Sequence, residues 1–114
     1  MNTRLRERFI RDDSSIRLGG IAANLARIKS FADHPGHRHV VEGLIRESEF
    51  FIEWTIADTD VVVQEVLVDC QRTLARWYLN WKDIWENTST RAAVAAEAER
   101  WSTRLLDLSG LLRD

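Results

Sequence analysis

The chain has 114 residues, a formal net charge of −2 and a single cysteine, and its 13.2 kDa is the size of one domain. That charge balance gives no general pull toward nucleic acid or anionic lipid, and one thiol allows no internal disulfide. A composition 45% hydrophobic and 30% charged argues against disorder, and no run approaches the ~20 apolar residues of a membrane span.

The first twelve residues are basic, with Arg4, Arg6, Arg8 and Arg11, and carry Leu5, Phe9 and Ile10. They read as an arm or a short extra helix. No apolar run follows them, so no secretory signal is expected. Together with the lone Cys70, this makes a reducing cytoplasm the expected location. Four arginines without aromatic or amide base readers are weak support for nucleic-acid binding. The expectation is a solvated arm, or one that docks on a partner subunit.

Asp12-Asp13-Ser14-Ser15 reads as an N-cap, opening a first long helix over about 15–33. Its stripe is Leu18, Ile21, Leu25, Ile28 and Ala32. Gly19-Gly20 inside it predicts a bend or a close approach of another backbone. Asp33-His34-Pro35-Gly36-His37 is the clearest turn. A second helix over about 39–57 follows, with Val41, Leu44, Ser48, Phe51 and Thr55 on its stripe and Ile45, Ile52 and Ile56 alongside. Ala57-Asp58-Thr59-Asp60 then breaks the pattern, with Asp58 or Thr59 as the expected cap. A third helix over about 60–86 carries Val63, Leu67, Cys70, Leu74, Trp77, Trp81 and Ile84. After Asn87-Thr88-Ser89-Thr90, a fourth over about 90–109 carries Val94, Ala98, Trp101, Leu105 and Leu108. Each stripe alternates steps of three and four, the signature of packed helices. Short loops favour antiparallel neighbours. The expected fold is therefore all-α, an up-down four-helix bundle spanning residues 1–114 as one domain, with the N-terminal segment as a fifth, short helix or an arm.

Trp77, Trp81 and Trp85 stand four apart in one row. Folding the fourth helix back about Thr88 sets Trp85 opposite Ala92 and Trp81 opposite Ala96, large facing small as in a packed core. Trp85, near the helix end, is expected to be partly exposed. Its indole N–H, if buried, would look to carbonyls near Asn87, or to Asn80 or Thr73.

Phe50 and Trp54 lie far around the second helix from its core stripe, beside Gly43 and Ala57. Adjacent aromatics on such a face suggest a contact surface. On the third helix, Val61, Val68, Ala75 and Leu79 also lie off the stripe, roughly opposite the polar row Glu65, Asp69, Arg72 and Arg76. Ile16, Gly20 and Ala23 do the same on the first. These faces predict a homodimer or higher oligomer, with Phe50, Trp54, Gly43, Ala57, Leu5 and Phe9 at the interface. In the competing reading, the N-terminal segment folds back and Leu5, Phe9 and Ile10 cover Phe50 and Trp54 within one chain.

No phosphate loop, nucleophile elbow or triad spacing is present, so no enzyme and no cofactor are expected. Cys70 reads as a small buried apolar residue. Ser48 and Thr55 should bond the carbonyl one turn back. His34, His37 and His39 form a short histidine tract sharing an end with Trp85, which supports an alternative small-molecule or metal site. No Glu-x-x-His pair accompanies it, so a di-iron centre is not expected. The function these residues favour is non-enzymatic protein–protein association, first of all with itself.

Overall fold

The computed structural model describes residues 3–111, and every regular element among them is helical. These are α1 (Thr3–Arg11), α2 (Ser14–Phe31), α3 (Arg38–Thr55), α4 (Val61–Leu79), α5 (Trp81–Glu86) and α6 (Thr88–Ser109), with 3-10 turns at Pro35–His37 and Ile56–Asp58. The all-helical expectation holds. The count does not: the described residues form six helices, not four or five. The N-terminal segment is a true helix, and the expected third helix is broken in two.

The break falls at Asn80, whose φ of −107° and ψ of 17° leave the helical region. Its side-chain amide donates to the Arg76 carbonyl at 2.9 Å, so asparagine satisfies the end of α4 instead of continuing it. Trp81 and Trp85 then enter the core on the separate short helix α5. Caps start three of the long helices. Asp13 Oδ1 accepts from the Ile16 N–H at 3.0 Å, and Asn87 Oδ1 from the Ser89 N–H at 2.9 Å. The cap of α4 is Asp60, not Asp58 or Thr59, its Oδ1 accepting from the Val63 N–H at 2.9 Å.

α2 is the central helix, packed chiefly against α6 and then α3; α4 lies on α3 and meets α6 only loosely. The tie between α2 and α6 includes the Ser102 hydroxyl, which donates to the Ala22 carbonyl at 2.7 Å. This arrangement overturns the expected helical hairpin of tryptophans over alanines. Ala92 and Ala96 are exposed, and Val94, Ala95, Ala98 and Leu105 are the buried positions of α6. The break at Asn80 interrupts the helix before Thr88, so the register expected of one continuous helix does not apply. Trp77 and Trp81 are core residues as expected. Trp85 is also buried, only 6% exposed, and its N–H donates to the Pro35 carbonyl at 2.9 Å rather than to a group near Asn87.

Two ends of the molecule are each pinned by one polar residue. At one end Arg17 is nearly buried; it donates to the Asp12 carbonyl at 2.9 Å, to the Trp54 carbonyl at 3.0 Å and to Asp58 at 2.9 Å. It thereby holds the start of α2 to the end of α3. At the other end, the Trp85 bond to Pro35 holds α5 to the turn between α2 and α3. α2 runs unbroken through Gly19-Gly20. A Cβ at Gly19 would meet Leu111 Cδ1 at 2.7 Å and one at Gly20 would meet Phe9 at 3.5 Å, so side chains rather than a backbone approach there.

Candidate functional site

The residues expected at an interface are divided by the fold. Phe9 leaves α1 to stack on Phe51 of α3, with ring centroids 4.0 Å apart and planes at 11°, and it meets Trp54 at 6.0 Å. Leu5 is half-buried against the same core. Phe9 of the N-terminal helix therefore reaches Trp54, which agrees with part of the competing sequence reading; Ile10 stays exposed instead of joining it. Phe50 stacks on Trp54 at 5.7 Å, and the Arg46 guanidinium lies 5.0 Å from the Phe50 ring centre. Both aromatics are half-buried. Gly43 and Ala57 are exposed, and nothing lies within 4 Å of a Cβ built at Gly43.

The histidine tract sits where the Trp85 bond places it, beside α5. His34 and His37 have ring centroids 4.8 Å apart, His34 Nδ1 accepts from the Gly36 N–H at 3.0 Å, and His37 meets the edge of Phe31 at 5.0 Å. His39 points to solvent at the start of α3. Among the described residues no three His, Cys, Asp or Glu side chains are grouped so as to hold a metal ion. Around this end, His37 Nδ1, Arg38 Nε, Trp81 Nε1 and Arg91 Nε are buried without a hydrogen-bond partner in the protein. Arg91 also donates to the Trp85 carbonyl at 2.6 Å and lies 5.5 Å from the Trp85 ring centre.

Cys70 lies inside the core, and burial pushes its thiol up to about 12, with the Glu97 charge adding to the shift. Such a thiol is protonated at neutral pH and is no nucleophile. Ser48 and Thr55 donate to the Leu44 and Phe51 carbonyls, each at 2.7 Å, which occupies both hydroxyls inside α3.

The exposed apolar surface gathers instead on α4. Val61 is 67% exposed, Val62 65% and Leu79 83%, with Val68 on the same side. Glu65, Asp69, Arg72 and Arg76 are exposed too, and they do not lie opposite these residues as the sequence reading had it. At ~100° per residue the two sets interleave on one outer face. Beside this face a groove of about 420 Å³ opens between α3 and α4, lined by Ile52 and Ile56 on one wall and Val68 and Ala75 on the other. Gln71, at its floor, donates to the Glu49 carbonyl at 3.0 Å.

No helix of the described residues is long and apolar enough to cross a membrane. No protein-family model, curated protein or solved structure matches this chain.

Sequence reasoning found the apolar members of the α4 face but separated them from the charged ones. The signal that joins them was present: Val61, Glu65, Val68, Arg72, Ala75 and Leu79 advance by steps of four and three, as a second stripe on the helix that also carries the core stripe. Arg17 and the buried Asn24 were missed altogether. Asn24 donates to Glu47 at 3.2 Å and accepts from Arg27 at 2.9 Å, and only the Arg27 contact is local in sequence.

Proposed function

We propose that this protein is a non-enzymatic helical bundle that acts by associating with copies of itself. α2, α3, α4 and α6 would form its up-down frame, with α1 and α5 as additions. The observation that carries the reading is the outer face of α4. Single exposed apolar residues are ordinary on a small domain, but several on one helix face, interleaved with charges and flanked by an apolar groove, resemble a contact surface. The absence of any triad, phosphate loop or reactive thiol in the sequence reading fits a binding role. A reducing cytoplasm remains the proposed setting, because the lone cysteine is used as a core residue.

Sedimentation velocity of the full chain across micromolar concentrations tests this. A mass above that of one chain, rising with concentration, is expected. A monomer throughout would sink the proposal.

The small-molecule reading retains one supporting observation, the four buried polar atoms without partners around His37, Arg38, Trp81 and Arg91. Their nitrogens favour an anionic ligand over a cation. Titration with inorganic phosphate or zinc, followed by tryptophan fluorescence, separates the cases. A response to phosphate that Arg91→Ala removes supports the site, and a flat trace to both probes removes it.

A further inference from the structure

Resting on the self-association just proposed, we infer that the contact is α4 against α4 of a second copy, antiparallel and related by a two-fold axis passing beside Val68 and Arg72. The evidence is a pattern of self-complementarity along one exposed stripe.

Read from the start of α4, the stripe is Val61, Glu65, Val68, Arg72, Ala75 and Leu79, with Asp69 and Arg76 on its flank. Apolar residues stand at its two ends and in its middle. The acids, Glu65 and Asp69, fall in its first half, and the bases, Arg72 and Arg76, in its second. Reversing one copy against the other brings the apolar ends together and lays the acidic half of one copy along the basic half of the other, with Val68 opposite Arg72 near the axis. Val61 meets Leu79 of the second copy. Glu65 then falls within one residue of Arg76, and Asp69 within one residue of Arg72, each twice by symmetry. A parallel pairing fails the same comparison, because it sets Glu65 against Glu65 and Arg76 against Arg76.

Helical spacing supports the same geometry. Steps of four and three keep a row facing one partner along a helix, and this row continues over the whole length of α4. A helix with one buried and one exposed stripe of this kind has two packing faces. The core takes the stripe of Leu67, Cys70, Leu74 and Trp77. No helix among the described residues covers the other, since Val61 and Leu79 are exposed.

The charges on this face are available. Glu65 takes part in no ion pair among the described residues, and Asp69 meets Arg72 of its own helix at 3.4 Å with both side chains exposed. Arg76 reaches Glu97 at 3.5 Å while remaining well exposed. Long, solvated pairs of this kind hold their partners weakly and can exchange them. The α3–α4 groove lies along one edge of the stripe, so the half-buried Ile56 would extend the buried surface beyond α4 itself. A two-fold contact of this sort closes on itself and gives a dimer, not a filament.

Charge reversal in the full-length protein tests the pairing, with sedimentation velocity for mass and far-ultraviolet circular dichroism for folding. Every substituted side chain is exposed, so the helical signal should be unchanged. Glu65→Arg with Asp69→Arg should convert the dimer to monomer, and so should Arg72→Glu with Arg76→Glu. Mixing these two proteins should restore dimer mass as a heterodimer. One chain carrying all four reversals should dimerise again. Orientation is read separately by single cysteines. Val61→Cys mixed with Leu79→Cys should give a mixed disulfide on oxidation, whereas Val61→Cys alone should not cross-link. The native Cys70 is buried and does not compete.

The outcomes separate the two proposals. Wild-type protein that is monomeric throughout overturns self-association and this pairing with it, and leaves the α4 face to a different protein. Wild-type protein that associates, yet is indifferent to both double reversals, overturns the α4 pairing alone. Efficient self-cross-linking of Val61→Cys overturns the antiparallel orientation.

Discussion

Glu49 shows how placement changes a residue that the sequence gives no reason to single out. It lies on α3 facing α4, with its Oε1 buried, and Arg46 is 3.6 Å away. Burial raises its pKa above the ordinary 4.5, and the Arg46 charge offsets that only in part. The folded state therefore binds this proton more tightly than the unfolded chain does. Stability from this group is fully present below 4.5 and is lost as pH rises through the higher native value. Glu49→Gln should remove that slope and raise the urea midpoint at neutral pH, while leaving it nearly unchanged at acid pH. Equilibrium urea unfolding at both pH values measures it. An unchanged difference between the two would contradict the assignment. The Arg17 cluster works in the opposite sense: one nearly buried guanidinium spends its donors on two carbonyls and Asp58, so its charge is compensated where it sits.

Among the helices, α3 and α4 illustrate two fates of an off-stripe face. On α3 the extra aromatics are covered from within, by Phe9 on one side and Arg46 on the other. On α4 the extra stripe is left open. Gly43 belongs to neither. It sits on the exposed side of α3 in a helical interior, where glycine costs conformational entropy and supplies nothing in return. With no atom near its missing Cβ, Gly43→Ala should stabilise the fold by about 0.5–1 kcal/mol. A rise in thermal midpoint without a change in sedimentation coefficient is the expected result. A change in mass would return Gly43 to the interface that the sequence suggested.

Across the whole molecule, stability and association are predicted to separate. Phe9 is the only buried residue of α1, and its ring stacks on Phe51 where this helix docks on α3. Phe9→Ala should cost about 3 kcal/mol, the range for emptying an aromatic site in a core. It should lower the thermal midpoint and leave the oligomer intact while the protein is folded. Substitutions on the outer face of α4 should do the reverse, changing mass with little effect on folding. Thermal unfolding and sedimentation, run on the same variants, check both halves.

Features that depend on local pattern were legible in the amino-acid order. Steps of three and four specified the helices, the runs 12–15 and 87–90 marked two of their starts, and the stripe positions named Trp77, Trp81 and Cys70 as core. The hydroxyls of Ser48 and Thr55 found the carbonyls one turn back because that bond lies within a single helix. Tertiary structure decided what depends on direction in space. Non-helical backbone angles at Asn80 split the expected third helix and undid the register that set Trp85 against Ala92. Phe9 could be assigned to the core only once α1 was seen to fold onto α3, because the stacking partner lies 42 residues away in the chain. The open face of α4 became recognisable for the same reason. Helical periodicity marks every stripe alike, and only packing shows which of them the chain covers for itself.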